Sequence, residues 1–171
     1  MSRPKRLANR SYVGKAQYFL TFCVRERRPA FRDAAVASET LAHFLRAAAA
    51  QSFEVLAYCL MPDHAHLLVG ALGATSDLRR FVKTAKERSG RAYRKRCDER
   101  LWQEGYFDRV LRDDADARRY AAYIVNNPVR AGLVTSPTEY EFVGATKWTI
   151  EELTGVALDN EVPRSIMNAG P

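Results

Sequence analysis

Two short apolar segments separated by a two-residue turn constrain the fold of this chain more than any other feature. The first segment is FEVLAYCLM (Phe53–Met61), the second is HAHLLV (His64–Val69), and the dipeptide Pro62-Asp63 lies between them. Proline and aspartate are typical turn residues, and a connection this short joins antiparallel strands. The sequence therefore predicts an antiparallel β-hairpin that spans both segments.

The second strand of this hairpin contains two of the chain's three histidines. Side chains alternate between the faces of a strand, so His64 and His66 should project side by side from one face. Two convergent neutral imidazoles are suitable ligands for several divalent metal ions. From the residues alone, an ordinary sheet histidine and a fortuitous spacing explain the pair better than a metal site does. The third histidine, His43, is interpreted as an ordinary helix residue.

Patterns elsewhere predict the rest of the fold. They indicate strands at Ala16–Val24 and Tyr106–Leu111, and helices at Ala34–Gln51, at Leu78–Arg96 with Asp77 as its cap, and from Asp114 to Asn126 or Asn127. The last helix is expected to end there, because Pro128 disfavours helical geometry at the residue before it. The order β-α-β-β-α-β-α predicts an α+β fold in which helices pack on one antiparallel sheet.

The basic residues of the chain are clustered. Lys and Arg number 27 against 20 Asp and Glu, which gives a formal net charge of +7. Residues 1–15 contain five basic side chains and no acidic one, and residues 79–96 contain nine with Glu87 as the only acidic one. Such clusters are typical of proteins that bind polyanions, although a solvated helix face with surplus arginine gives the same pattern.

The length of 171 residues suits one domain. We expect a basic arm at 1–15, the domain at 16–148, and a partly loose tail at 149–171. The chain's three cysteines are widely spaced and form no CxxC pair, which favours a reducing compartment. No apolar run suits a signal peptide or a membrane helix, so we expect a cytoplasmic protein that does not contact a membrane.

A second group of polar residues lies in YIVNNPVRAG (Tyr123–Gly132). Residues four apart share a helix face, so Tyr123 and Asn127 should line up at the end of the predicted helix. A tyrosine is a weak nucleophile unless the charge that it develops is stabilised, and an amide oxygen can complete a metal site. Tyr120 lies on nearly the same face and competes for any role given to Tyr123, and either ring alone could be an ordinary core aromatic.

Four motifs, taken together, are similar to a known family. MPDHAHLLV resembles the His-hydrophobic-His motif of single-tyrosine (HUH) transposases, whereas NRSYVGKAQYFLTF, LWQEGYFDRVLRD and YIVNNPVRAGLV resemble their REP-associated branch. The motifs occur in the expected order between about Ala8 and Val134, and YEFVGATKW (Tyr140–Trp148) is compatible with the same family. The resemblance implies an α+β fold with a ferredoxin-like central antiparallel sheet and packed helices, the HUH-type single-tyrosine transposase fold.

The resemblance also implies an activity. Enzymes of this kind bind single-stranded or hairpin DNA with palindromic repeats, nick it and join it through a covalent 5′-phosphotyrosine, without ATP. It assigns Tyr123 as the nucleophile, His64 and His66 as metal ligands, and Asn127 as the third ligand. The implied ion is Mg²⁺ or Mn²⁺, since imidazole ligands favour Mn²⁺ and availability favours Mg²⁺. Related enzymes act as monomers or as homodimers, and both states are open for this chain.

The same resemblance gives the basic clusters a role in holding the DNA backbone, with salt-dependent affinity. The residues assigned to this contact are Arg10, Lys15, Arg79, Arg80, Lys83, Lys86, Arg91, Arg94 and Arg130. Arg130 is equally compatible with a plain surface position. Asp63 could orient the neighbouring His64, although its place in a tight turn explains it as well. Base stacking could involve some of Tyr12, Tyr18, Tyr93, Tyr106 and Phe107, of which more are expected in the core.

Two other functions are compatible with these residues. A non-catalytic DNA-binding protein derived from a transposase would keep the fold and the basic surface. The presence of both histidines, the tyrosine and the asparagine favours the enzyme instead. A metal-dependent phosphoesterase would use the two histidines to activate water, but no further histidine or well-spaced carboxylate pair is evident to complete a hydrolytic site.

Overall fold

The computed structural model describes residues 12–156. These residues form five strands and four α-helices, which we number in chain order. They are β1 Gln17–Cys23, α1 Ala34–Ala50, β2 Phe53–Met61, β3 His64–Ala71, α2 Leu78–Cys97, β4 Phe107–Val110, α3 Asp114–Arg130, β5 Val143–Ala145 and α4 Ile150–Thr154. No helix in this part of the chain has the length and apolar character needed to cross a membrane.

The strands form one antiparallel sheet in the order β4-β1-β3-β2-β5. The first six elements follow the β-α-β-β-α-β sequence of a ferredoxin-like fold. The predicted hairpin is β2–β3, in which Met61 pairs with His64 across the Pro62-Asp63 turn. The predicted α+β class and the ferredoxin-like sheet are therefore confirmed.

Helices cover both faces of the sheet, because the strands are apolar on both sides. In β1, Tyr18, Leu20 and Phe22 pack into a core with α1 and α2. Phe19, which points the other way, belongs to a second core with α3 and α4. The sheet is therefore a central layer, with α1 and α2 on one side and α3 and α4 on the other.

The two long helices of the first layer begin at aspartate caps, of which the sequence predicts Asp77. Asp33 accepts hydrogen bonds from the backbone N–H groups of Ala35 and Val36 at the start of α1. Asp77 accepts one from the N–H group of Arg80 at the start of α2. Such caps satisfy N–H groups that have no partner within the helix, so they fix where each helix begins.

Helix α3 does not end before Pro128, as the sequence predicts, but continues to Arg130. Proline lacks a backbone N–H and disfavours helical geometry before it, yet both Asn127 and Pro128 are buried in this helix. The burial of these residues outweighs the preference of proline against helical geometry, so the helix continues for about one more turn. After Arg130 the chain turns at Gly132, whose φ of +69° suits a glycine and whose N–H donates to the Val129 carbonyl.

The chain after Val134 is also more regular than predicted. It adds β5 to the sheet edge and then forms α4, which lies within the tail that is expected to be partly loose. Thr149 and Glu152 form a capping box at the start of α4, and Leu153 is buried against the α3 layer. Residues 157–171, and residues 1–11 of the predicted basic arm, lie outside the described part of the chain.

Candidate active site

The two histidines of β3 point toward α3. Leu68, two residues beyond His66, belongs to the α3 core, whereas Ala65 and Leu67 belong to the core of α1 and α2. The Nε2 atoms of His64 and His66 are 3.1 Å apart. The structure therefore places both imidazoles on one face, with their outer nitrogens converging on the same space.

The other nitrogen of each imidazole has its own partner. His64 Nδ1 lies 2.6 Å from Asp63 Oδ1, and His66 Nδ1 lies 2.9 Å from Thr21 Oγ1. An ionised carboxylate only accepts hydrogen bonds, so Asp63 places the proton of a neutral His64 on Nδ1. The lone pair of His64 then lies on Nε2. Asp63 thus has an orienting contact in addition to its place in the turn.

Thr21 controls the proton of His66, because its hydroxyl can donate or accept a hydrogen bond. If Thr21 donates to Nδ1, His66 carries its proton on Nε2 and can donate it to His64. If Thr21 accepts from Nδ1, the Nε2 lone pairs of both histidines face the same space. The second arrangement is the one that a divalent metal ion requires.

Burial and the neighbouring charges favour a neutral His66. Burial lowers the pKa of His66 well below its ordinary value, and the neighbouring His64 and Arg27 lower it further. Burial raises the pKa of Asp63, but its hydrogen bond to His64 and the nearby Arg27 guanidinium bring that pKa below the usual value. At neutral pH, His66 therefore keeps a free lone pair beside an ionised Asp63.

Tyr123 lies against this pair from the opposite side of the site. Its ring centroid is 5.7 Å from that of His66, and only 1% of the residue is exposed. Its hydroxyl has no hydrogen-bond partner among residues 12–156. Burial raises the pKa of Tyr123, whereas the Arg130 guanidinium, 5.0 Å from the ring centre, and the nearby Asn127 amide lower it.

Tyr120, the competing tyrosine, occupies a different environment. Its ring packs 4.9 Å from Phe19 and lies under the Arg109 guanidinium at 5.4 Å. The ring contacts of the described residues join Tyr123, and not Tyr120, to a histidine. The geometry therefore favours Tyr123 as the residue next to the histidine pair.

The donor set fits a small divalent ion. Asn127 is 3% exposed, and its Nδ2 atom has no hydrogen-bond partner within the described chain. A half-turn of the amide would bring Oδ1, a possible ligand, to the same position. No group of three or more His, Cys, Asp or Glu side chains between residues 12 and 156 is arranged to hold a metal. A metal here would therefore bind the two imidazoles and complete its coordination with amide, phosphate or water oxygen.

The basic residues assigned to DNA lie in several places. Those of α2 lie in the layer on the other side of the sheet from the histidines, where Arg79, Arg80, Lys83, Arg91 and Arg94 are exposed. The Lys86 ammonium donates to the carbonyls of Gln103 and Gly105. Lys15 is exposed before the start of β1, whereas His64 pairs with Cys23 at the end of that strand. Arg10 lies outside the described residues.

The aromatic residues considered for base stacking are mostly structural. Tyr12, Tyr18 and Tyr93 are buried in the core of α1 and α2. Tyr106 and Phe107 are half-buried, and they pack against that core and the α3 core, respectively. The expectation that most of the five belong to the core is met.

Sequence patterns missed two residues of the site. Thr21 is the cross-strand partner of His66 in the β1–β3 pairing, and Arg27 lies beyond the end of β1, with its Nε atom 3.0 Å from Asp63 Oδ2. Thr21 is recognised only through the register of the two strands, which the structure shows. Nothing in the local sequence distinguishes Arg27 from the arginines beside it.

Comparison with known proteins shows what this chain is similar to. A family model described as "Transposase IS200 like" matches residues 12–127, a span that contains both histidines, Tyr123 and Asn127. A REP-associated tyrosine transposase from Escherichia coli K12 is 24% identical over 135 residues, which cover 78% of each chain. A Haemophilus influenzae protein named for the same group is 24% identical over 136 residues, which cover 73% of this chain and 77% of that protein.

The fold has a solved counterpart. The structure of a REP-associated tyrosine transposase bound to a REP hairpin superposes with a TM-score of 0.70 at 22% identity, and the match covers 84% of this chain and 82% of that one. At this identity the likeness shows the fold. The relatives confirm the resemblance that the four motifs predict. Because the family model spans more than half of its length, the chain belongs to the IS200-like transposase family.

Proposed function

We propose that this chain cuts and rejoins single-stranded or hairpin DNA of the REP type through a covalent 5′-phosphotyrosine at Tyr123. The proposal rests on one juxtaposition: a buried tyrosine hydroxyl without a partner among the described residues lies beside a pair of convergent imidazoles. The names of the relatives support the reaction class. The REP hairpin held by the solved counterpart supports the substrate class.

The proposed reaction is an exchange of phosphodiester bonds. The hydroxyl oxygen of Tyr123 attacks the scissile phosphorus, the bond to the 3′ oxygen breaks, and the phenolic proton ends on the departing 3′-hydroxyl. In the second step another 3′-hydroxyl attacks the phosphotyrosine, and Tyr123 regains its proton. One bond forms for each that breaks, so neither water nor ATP is consumed.

The surroundings of Tyr123 define how it must be activated. Burial raises its pKa, so the hydroxyl is protonated at neutral pH and is a weak nucleophile. The Arg130 guanidinium opposes this effect and can stabilise negative charge as it develops on the oxygen. We assign Arg130 a role in the reaction rather than a plain surface position for this reason.

His64, His66 and Asn127 would hold a divalent cation, Mg²⁺ or Mn²⁺, beside the scissile phosphate. When bound, such an ion polarises a phosphoryl oxygen and fixes the geometry of the displacement. The residues of this chain supply two imidazoles whose Nδ1 atoms are already held by Asp63 and Thr21. Preset ligands of this kind lose little freedom when an ion binds.

The basic face of α2 connects to this site through the loop before β4. Lys86 of α2 binds the carbonyls of Gln103 and Gly105, and the Gln103 N–H donates to the Cys23 carbonyl. Cys23 is the cross-strand partner of His64. DNA held on α2 would therefore reach the histidines by passing this loop at the end of the sheet.

The decisive experiment is a search for a protein–DNA adduct. Hairpin oligonucleotides labelled at either end are incubated with the protein and Mn²⁺, Mg²⁺ or chelator, and are separated on a denaturing protein gel. We expect a labelled adduct with the wild type, none with chelator and none with Tyr123→Phe. The matched control, Tyr120→Phe, should keep the adduct, because among residues 12–156 the Tyr120 ring packs on Phe19, and of the two tyrosine rings only that of Tyr123 contacts a histidine.

The other outcomes separate the alternatives. Hairpin binding without an adduct in any metal would replace the enzyme with a non-catalytic DNA-binding protein. Repeated hydrolysis of a small phosphodiester without an adduct would indicate a phosphoesterase. An adduct that persists in Tyr123→Phe and disappears in Tyr120→Phe would move the nucleophile to Tyr120.

A further inference from the structure

We propose that Arg27 is a positioning residue: it holds the Asp63 carboxylate in the orientation that keeps the proton of His64 on Nδ1 and its lone pair on Nε2. The inference rests on the proposed function, since that lone pair matters for a metal ligand. Arg27 lies outside β3 and α3, the strand and the helix that contain the proposed metal ligands and the nucleophile.

The contact between Arg27 and Asp63 uses the carboxylate oxygen that His64 leaves free. Arg27 Nε lies 3.0 Å from Asp63 Oδ2, and His64 Nδ1 lies 2.6 Å from Asp63 Oδ1. Each oxygen therefore has its own partner, and rotation of the carboxylate would break both contacts together. A carboxylate held at one oxygen only could turn away from the imidazole.

A second contact fixes the guanidinium itself. Arg27 Nη1 donates to Cys23 Sγ at 3.1 Å, and Cys23 lies directly across from His64 in the β1–β3 pairing. The guanidinium thus spans from the strand beside His64 to the carboxylate that binds His64. An arginine can make both contacts with one rigid planar group, whereas the single ammonium of lysine cannot reproduce that spacing.

The backbone around Arg27 is shaped to bring it there. Glu26 and Arg27 have φ angles of 57° and 55°, a left-handed conformation that non-glycine residues rarely adopt. The Val24 N–H donates to the Asp63 carbonyl, and the Phe31 N–H donates to the Pro62 carbonyl. The segment is therefore clamped to the β2–β3 turn at both ends, and the unusual backbone returns the Arg27 side chain to that turn.

Solvent exposure explains why the Asp63 carboxylate needs Arg27 to hold its orientation. The side chains of Arg27 and Asp63 are 26% and 28% exposed, so water can compete for either carboxylate oxygen. The contact between Thr21 and His66 needs no additional support against water, because both residues are buried. We therefore expect the tautomer of His64, and not that of His66, to depend on Arg27.

The test reads the tautomer directly, without metal or DNA. The ¹⁵N shifts of the imidazole nitrogens are measured in chelator-treated protein at pH 8, where a chain with three histidines is readily assigned through single substitutions. We expect wild-type His64 to be protonated at Nδ1, and Arg27→Gln to show a mixture of tautomers. Arg27→Lys should give an intermediate result. Arg25→Gln is the matched control, since Arg25 is exposed in the same turn and pairs with Glu26.

The second readout is the affinity for Mn²⁺ alone, measured by calorimetry. Loss of a group that orients a metal ligand typically weakens binding about 10- to 100-fold, and we expect a loss of this size in Arg27→Gln and none in Arg25→Gln. Asp63→Asn removes the carboxylate itself and should reproduce both changes if Arg27→Gln proves too unstable to study.

The outcomes distinguish this inference from the proposed function. An unchanged His64 tautomer in folded Arg27→Gln, or in Asp63→Asn, would overturn the positioning role even if the wild type forms a DNA adduct. A tautomer that shifts as expected in a protein that binds no Mn²⁺ would support the positioning role and remove the metal site from the proposed function. An equal loss of Mn²⁺ affinity in Arg25→Gln would show a general charge effect and would also overturn the positioning role of Arg27.

Discussion

The rings of His66 and Tyr123 lie 5.7 Å apart at an angle of 66°, yet the Tyr123 hydroxyl beside them has no hydrogen-bond partner in the described chain. A buried polar group without a partner destabilises the folded state, so the fold gains nothing from this oxygen. We expect Tyr123→Phe to leave the free energy of unfolding unchanged or to raise it by about 1 kcal/mol. Urea unfolding of the metal-free protein measures this.

Tyr140 is the matched control for that substitution. Its half-buried hydroxyl donates to the Leu60 carbonyl at 2.9 Å. Tyr140→Phe leaves that carbonyl without its partner and should cost about 1–2 kcal/mol. A comparable loss in Tyr123→Phe would show that the Tyr123 hydroxyl stabilises the fold, and its presence would then need no reaction to explain it.

The Thr21 hydroxyl, unlike that of Tyr123, has a hydrogen-bond partner. It lies 2.9 Å from His66 Nδ1 and is buried. Thr21→Val keeps the shape of the side chain but leaves that nitrogen without a partner, which should weaken Mn²⁺ binding about 10-fold or more. Thr21→Ser retains the hydroxyl and should bind Mn²⁺ nearly as the wild type does. Equal affinity in Thr21→Val would remove Thr21 from the metal site.

Most of the fold was predictable because its signals are local. The Pro62-Asp63 turn, the Asp77 cap and the alternation along β3 each act within a few residues. The end of α3 was not, because the preference of Pro128 is local whereas the burial that overrides it comes from distant elements. Helix α4 was missed for a related reason: five residues give too short a period to detect.

The site residues also divide into those that local patterns predict and those that only the tertiary structure reveals. His64 and His66 follow from strand alternation, and Tyr123 and Asn127 follow from helical spacing. That the two pairs meet depends on α3 covering the histidine face of the sheet, which only the tertiary structure shows. Thr21 and Arg27 depend on strand register and on an unusual backbone turn, so no periodicity in the sequence could indicate them.

The low pKa of His66 predicts how metal-free stability changes with acid. Burial lowers that pKa in the folded state, so below the unfolded value of about 6.5 the unfolded chain binds a proton that the folded chain does not. The stabilisation is present above that pH and is lost as the pH falls toward the folded pKa. The free energy of unfolding should therefore decrease from pH 7 to pH 5, as measured by urea unfolding.

His43 provides the comparison for this effect. Burial is also the main cause that lowers its pKa, with Arg46 contributing, but His43 is only half-buried whereas His66 is 1% exposed. His66→Asn should therefore flatten the stability profile between pH 7 and pH 5 more than His43→Asn does. A steeper contribution from His43 would mean that His66 accepts a proton within the fold.

The exposed basic residues of α2 lead to a prediction about how the affinity for DNA depends on salt concentration. Arg80 and Arg91 are exposed on α2 and make no ion pair with other described residues, so both guanidinium groups are available to phosphate. Each phosphate contact that is lost reduces the slope of log affinity against log salt by about 0.7 for single strands and about 0.9 for duplex DNA. The double variant Arg80→Gln/Arg91→Gln should therefore bind a hairpin more weakly at low salt, with a slope smaller by about 1 to 2. Fluorescence anisotropy at several salt concentrations gives both quantities.

Arg46→Gln/Arg118→Gln is the control for the salt experiment, since it removes the same net charge from exposed positions on α1 and α3. Electrostatic attraction at a distance would weaken binding in both double variants alike, whereas direct phosphate contact at α2 should change the slope in the first variant only. An equal change in both would show that α2 attracts DNA through net charge without touching it. The DNA would then have to reach His64 and Tyr123 from the α3 side of the sheet.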